Sequence, residues 1–518
     1  MTKLIETYLK NDGPALSSDV AAYLVDQLGI TPATARQRVS RASGDVKRLG
    51  GIVFPHRSRF LYLQGQFGSP WYWDRLGRAL IDTNSAYGFA IAALRQRGGI
   101  VPAREFQIVS GAPMKLQKHL SPSTIFTRLQ EAGLLEQVIV PGSGECIALI
   151  QSEGHYEFGA DNIQARRITE NILLAAVKDW LKKMGIASYG KVALRTDDEI
   201  PQVGTFAWDL TAPCYLGPMV RKSAEGKVKP GFVVCDVHLG DKMTRDGVEP
   251  FIRKCLTLRS LQKVGPCMQI FVADSYSKDA FQLLKKNGIM PATPATMFGQ
   301  EIAEALRELT IALQLAAVSV IDADRFEALF NALGKIEGAA IQLRGTLFEF
   351  MAAEIARKLI SPSVTMNRIF KEPGGKAKAE GDVVAVKPGQ AVTVIECKGW
   401  SPRAELPDEY LKRWLQISVP LMYKEIRAHP DWKDLDAIFE FWTTATLSPE
   451  SLLFFANAKA KIKPSRYSIG LRLGNDVRNL CEATRDGSLI TAFDKHYTKP
   501  EKYNLDWGGH DPMVFEGY

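Results

Sequence analysis

The residues best placed to do chemistry are Asp382, Glu396 and Lys398. They lie in Ala379-Glu-Gly-Asp382-Val-Val-Ala-Val and in Ala391-Val-Thr-Val-Ile-Glu396-Cys-Lys398-Gly-Trp400, either side of Lys387-Pro-Gly-Gln390. Two β-branched runs around a Pro-Gly turn predict a hairpin. Alternation along a strand sends Glu396 and Lys398 to one face and Cys397 to the other, and Asp382, heading the partner strand, reaches the same place. Two carboxylates and an ammonium at one spot suit hydrolysis of a phosphodiester. Carboxylate oxygens hold Mg²⁺ or Mn²⁺, which neutralises phosphate charge and acidifies a water near neutral pH. The lysine orients that water and stabilises developing charge. The other reading of these residues is a solvated hairpin with an incidental ion pair.

Such a hairpin needs elements to hold it. Upstream, Leu343, Leu347, Met351, Ile355 and Leu359 repeat at i+4, the stripe of a core-facing helix. Downstream, Asp408–Gln416 begins a helix and Ile438–Thr443 reads as a strand. The Asp…Glu-x-Lys pattern on a hairpin in this setting resembles the PD-(D/E)XK, or restriction endonuclease-like, nuclease superfamily. The resemblance implies an α-β-β-β-α-β domain over residues 341–495 and a Mg²⁺-dependent deoxyribonuclease. It also implies Glu349 as a metal ligand beside Asp382 and Glu396, and Gln416 as a supporting polar residue. Glycine, not proline, precedes Asp382.

Residues 159–300 repeat the plan. Glu170 on a helix, Asp209 on a strand and Asp236-Val-His238 on the next stand where Glu349, Asp382 and Glu396-Cys-Lys398 stand in the other copy. A neutral imidazole lacks the fixed charge of an ammonium at pH 7. This copy therefore reads as degenerate, a scaffold or DNA clamp, with a second live metal site as the alternative. Residues 301–340 read as a helical linker, and 496–518 as a polar tail whose Trp507 and His510 carry no assigned role.

The N-terminal third holds two similar stretches. Thr31-Pro-Ala-Thr-Ala-Arg-Gln-Arg-Val-Ser-Arg-Ala42 and Ser121-Pro-Ser-Thr-Ile-Phe-Thr-Arg-Leu-Gln-Glu-Ala132 each open on a hydroxyl cap followed by proline. Two apolar strands follow each, Ile52–Leu63 and Val138–Leu149, and the helix Asp19–Leu28 ending at Gly29 precedes the first. Both stretches resemble winged helix-turn-helix domains, over residues 1–66 and 67–158. The resemblance implies that Thr34, Arg36, Gln37 and Arg41 face the major groove and that His56, Arg57 and Arg59 form a wing near phosphates. The second copy offers Arg128, with Lys115 and Lys118 ahead of it. Winged helices also mediate protein contacts, and that reading stands beside DNA binding.

These resemblances together imply a multidomain α/β protein, and the length agrees. A chain of 518 residues exceeds one hydrophobic core. Of the net charge of +8, residues 1–66 hold nine Lys/Arg against five Asp/Glu and residues 67–152 hold eight against six. A basic end on a near-neutral body suits a reader of polyanions. Seven cysteines without a CxxC pair argue for reduced thiols and against a zinc site. No run nears the ~20 apolar residues of a membrane span, and Met1–Glu6 lacks a secretion pattern, so a cytoplasmic location is expected. DNA-reading modules joined to such a nuclease suggest double-stranded DNA as substrate and restriction, or anti-phage defence, as the role, with partner proteins of a defence system. Double-strand cleavage raises the expectation of a homodimer. A DNA-binding regulator with a non-catalytic nuclease-like fold, and an RNA-cutting effector, are the alternatives.

Overall fold

Proline at the first helical position wastes no donor, and a hydroxyl ahead of it accepts a free N–H. Both devices operate here: Thr31 accepts from Thr34 N–H ahead of Pro32, and Ser121 from Thr124 N–H ahead of Pro122. A computed structural model describes residues 2–498, apart from residues 53, 141–142, 151–155, 188–189, 197–198, 223–227, 317–327, 330, 335, 337–338, 376 and 463–466. Trp507 and His510 of the tail, and much of the linker at 301–340, lie outside the described residues. The chain is a multidomain α/β protein dividing into two compact units, Met1–Leu313 and Gln314–Tyr518.

The first unit begins α1 (Thr2–Asp12), β1 (Ala15–Leu16), α2 (Ser17–Leu28), α3 (Pro32–Arg41), β2 (Val46–Arg48), β3 (Phe60–Leu63). After α4 (Pro70–Asp82) the order recurs as α5 (Ala86–Gln96), β4 (Ile100–Pro102), α6 (Phe106–Val109), α7 (Pro122–Glu131), β5 (Leu135–Val140), β6 (Gly144–Leu149). In each three-stranded sheet the last strand lies in the middle, β1-β3-β2 and β4-β6-β5. The first hairpin departs from expectation, because Val46–Arg48 pairs with β3 while the described Ile52 and Phe54 belong to no strand. Gly51, at φ 75°, turns the chain off the ladder. Ile52 and Phe54 then sink into a core shared with Tyr72, Leu76, Leu94 and Ile125. The two N-terminal modules thus share one core across residue 66.

The rest of the first unit carries α8 (Tyr156–Lys183), β7 (Ala193–Leu194), the ribbon β8 (Gln202–Val203) with β9 (Phe206–Ala207), β10 (Leu210–Cys214), and the ribbon β11 (Arg221–Lys222) with β12 (Val228–Lys229). Then come β13 (Gly231–His238), α9 (Arg245–Ser260), β14 (Cys267–Ala273), α10 (Lys278–Lys286), β15 (Met290–Ala292), α11 (Pro294–Phe298) and α12 (Gln300–Ala316). The sheet order is β7-β10-β13-β14-β15, with the first three strands antiparallel and the last two joining in parallel.

The second unit repeats this topology. It runs α13 (Ala339–Leu359), β16 (Val364–Lys371), β17 (Lys378–Lys387), β18 (Ala391–Lys398), α14 (Asp408–Arg413), a π turn (Trp414–Ser418) and α15 (Val419–Ala428). After these come β19 (Asp436–Thr443), α16 (Pro449–Lys461), β20 (Ser468–Arg472), α17 (Gly474–Thr484), α18 (Gly487–Phe493) and a second π turn (Asp494–Thr498). The order β16-β17-β18-β19-β20 again has three antiparallel strands followed by two parallel ones. Each parallel strand is reached over a helix, as a crossover requires. Phe439, Phe441, Trp414 and Met422 pack the core between this sheet and α14–α15. All seven cysteines are unpaired and six are buried. No helix among the described residues is long and apolar enough to cross a membrane.

Candidate active site

The register that pairs Val383 with Ile395 sets Asp382 opposite Glu396. Residues opposite one another in an antiparallel pair share a face, so both acids and Lys398 point one way. Asp382 lies within β17 and does not head it. Lys398 Nζ is 2.6 Å from Glu396 Oε1, 3.6 Å from Asp382 Oδ2 and 3.0 Å from the Cys397 carbonyl oxygen. Asp382 Oδ2 also accepts the Cys397 N–H at 2.7 Å, fixing the aspartate against the neighbouring strand. The three side chains are 14–20% exposed.

Helix α13 brings Glu349. Gly399, directly after the lysine, makes this possible, because a Cβ there would collide with Phe348 Cβ and the Arg344 carbonyl oxygen. At the other end, the buried Tyr497 hydroxyl donates to that same carbonyl at 2.5 Å. Burial first, and then the Asp382 charge, push the Glu349 carboxyl well above its usual range. The same two causes, opposed by Lys398, raise Glu396 to about 7. Lys398 is held more firmly protonated than usual because Asp382 and Glu396 outweigh its burial.

Gln416 sits in the π turn before α15. Pro420 explains that turn: it has no N–H to donate to the Gln416 carbonyl, four residues back, so the α ladder must adjust there. Gln416 is exposed, and among the described residues no hydrogen bond joins it to Asp382, Glu396 or Lys398.

The sheet of the first unit repeats the arrangement in detail. Asp209 stands opposite Asp236, and its Oδ2 accepts the Val237 N–H at 2.8 Å, as Asp382 Oδ2 accepts that of Cys397. Here, however, protein cations take every acid. Arg195 lies 3.1 Å from Asp209, 2.7 Å from Glu170 and 3.1 Å from Glu105. Lys254, from α9, lies 2.6 Å from Asp236 and 3.9 Å from the centre of the Trp208 ring. Glu170 Oε1 further accepts the Leu239 N–H at 3.1 Å. These side chains are only 0–11% exposed. Burial, against the pull of Arg195, raises Asp209 to about 7. His238 is 1% exposed and 4.0 Å from Glu170, and burial beside Arg97 and Arg166 keeps its imidazole neutral.

Arg195, Glu105 and Lys254 were not legible as site residues. One signal existed: Lys254 interrupts the apolar stripe Val248, Phe251, Cys255, Leu258 of α9, and a lysine on a buried face needs an acid.

At the N-terminus, Arg36, Gln37 and Arg41 are exposed along α3, and Thr34 is half-buried with its hydroxyl against that of Thr31. His56, Arg57 and Arg59 are exposed around the turn before β3, His56 and Arg57 with positive φ. Arg48 donates to the carbonyls of Val39, Ser40 and Ala42, clamping the end of α3 to β2. Arg128 donates to the Tyr87 hydroxyl at 2.8 Å, tying α7 to α5, while Lys115 and Lys118 are exposed.

The second-unit site offers the donor types that a divalent cation takes. Two carboxylates and a carbonyl, all hard oxygen donors, converge on one ammonium. Burial chiefly, and the neighbouring Asp382 charge second, raise the proton affinities of Glu349 and Glu396, and a bound cation would oppose both effects. Among the described residues no three His, Cys, Asp or Glu side chains already stand as a chelating set, and here Lys398 lies between the two acids. No protein-family model, curated protein or solved structure matches this chain.

Proposed function

We propose that the chain is a metal-dependent DNA endonuclease of the PD-(D/E)XK type, with its one working centre in the second unit. The observation that carries this reading is the meeting of Asp382, Glu396 and Lys398 on one open face of a hairpin. A bound Mg²⁺ or Mn²⁺ would supply an acidified water and neutralise charge on the phosphate. Asp382, Glu396 and the Cys397 carbonyl would hold it, with Glu349 completing the acidic wall. Asp382 is kept in place by the Cys397 N–H, so its orientation does not depend on the ligand. The Lys398 ammonium, displaced from between the acids, is the donor that steadies the attacking water and the phosphate oxygen. The direct test is cleavage of long duplex DNA by the purified chain. Mg²⁺ or Mn²⁺ should support it and a chelator should stop it, whereas strong DNA binding without metal-dependent cutting would favour the regulator.

The titration of Glu396 sets a pH dependence. Its proton affinity is raised from the ordinary 4.5 to about 7, so below that pH the carboxyl holds a proton that the metal must displace. Affinity for Mn²⁺, measured calorimetrically, should rise roughly tenfold per pH unit towards about 7 and flatten above it. A profile flat between pH 5 and 7 would remove Glu396 from the ligand set.

The sheet of the first unit is, in this reading, a non-catalytic scaffold, because Arg195 and Lys254 neutralise the acids that a metal would need. The N-terminal modules read DNA as winged helices do, with α3 in the major groove. Arg57→Ala should weaken DNA binding and lower the slope of log affinity against log salt by about one, whereas Arg36→Ala should weaken binding and relax sequence preference. An unchanged slope in the first variant and unchanged affinity and preference in the second would assign these modules to protein contacts instead. Restriction of foreign DNA is the role these parts suit together.

A further inference from the structure

The first unit carries a broad, open hollow of about 860 Å³ beyond the C-terminal ends of β13 and β14. Lys242 follows β13, Asp274–Lys278 follow β14, and Phe281, Lys285 and Thr293 complete its wall.

Its chemistry is specific. Lys242, Lys278 and Lys285 are all exposed at its edge, and none forms an ion pair among the described residues. Asp274, the carboxylate in the lining, is already accepting the Gly240 N–H at 3.1 Å. Ser275 offers an exposed hydroxyl. The Tyr276 hydroxyl is committed to the carbonyls of Phe271 and Ala292, so its ring is a fixed part of the floor. Phe281 is 41% exposed, an apolar ring left facing solvent beside Lys285, whose ammonium lies 5.6 Å from its centre. The ammonium groups of Lys242 and Lys278, free of ion pairs among the described residues, beside the part-exposed ring of Phe281 match a ligand that is anionic at one end and flat and apolar at the other.

We infer that this cavity binds a nucleotide, its phosphates against Lys242 and Lys278 and its base on Phe281. The nucleotide is either free or the end of a single strand, since both present a phosphate beside a stacking base. The site does not depend on the chemistry of the second unit.

The test uses the full chain in a chelator, which silences metal-dependent cleavage. Fluorescent ATP and a labelled oligothymidylate are titrated separately, with inorganic tripolyphosphate as competitor. Lys242→Glu and Lys278→Glu should each weaken the bound probe by about tenfold or more, with thermal melting unchanged. Phe281→Ala should weaken either probe by about tenfold but leave tripolyphosphate competition intact. Binding of ATP identifies the free nucleotide, and binding of the oligomer alone identifies a strand end. Failure of both probes to bind at millimolar concentration overturns the inference, as does equal binding by wild type and the Lys242→Glu/Lys278→Glu double variant. A silent Phe281→Ala overturns the placement of the base.

Discussion

Lys398→Ala and Asp382→Asn should each lower metal-dependent DNA cleavage by a hundredfold or more, on the order of what loss of one preorganised charge costs a transition state. Asparagine is the sharper replacement at 382, because its carbonyl can still accept the Cys397 N–H and only the charge is lost. DNA affinity should stay near wild type in both, since recognition belongs to the first unit in this account. The lysine variant should also retain metal binding, because removing the ammonium from between two carboxylates leaves the oxygens free. Gel assays of cleavage and calorimetry with Mn²⁺ separate these effects. Cutting that persists in both variants would move the chemistry to another place in the chain.

The second large effect is on stability. Lys254→Met should destabilise the first unit by about 3–5 kcal/mol, the usual consequence of leaving a buried charge without its partner. Lys254 is 1% exposed, its ammonium lies 2.6 Å from Asp236, and the loss cannot be made good by water. Adding Asp236→Asn should return much of the loss, because the uncompensated carboxylate disappears while the asparagine oxygen can still accept the Asp209 N–H. Urea unfolding of the three proteins measures this. Equal stability of Lys254→Met and wild type would show that the ionic cluster is not what holds this sheet together, and would reopen the question of a metal there.

The contrast between the two sheets explains what could be read from the residues and what could not. Hairpin β17–β18 was legible because β-branched runs flank Pro388-Gly389, where Gly389 takes φ 69°. Alternation alone then placed Glu396 and Lys398 together. Both proline-started helices were legible for a similar reason, since cap and proline are neighbours in sequence. The correspondence of Asp209 with Asp382 was visible as spacing, and the structure adds the matching N–H contacts from Val237 and Cys397. Lys254 and Arg195 were not legible, because they reach the acids from α9 and from beyond β7, and pattern along the chain says nothing about which helix face meets which strand end. Phe54 misled for a related reason. A β-branched and aromatic run suits a strand and a buried loop equally, and Gly51 together with the core around Tyr72 decided for the loop. Tyr497 lay past the expected domain end at 495, yet its hydroxyl anchors the helix that carries Glu349.

The most direct measurement is the position of Mn²⁺ in crystals of the full chain, located by its anomalous scattering. One strong peak ligated by Asp382 and Glu396 is expected, with Lys398 moved aside, and none beside Asp209 and Asp236. A peak at the first sheet, or no peak between Asp382 and Glu396 at saturating Mn²⁺, would contradict it.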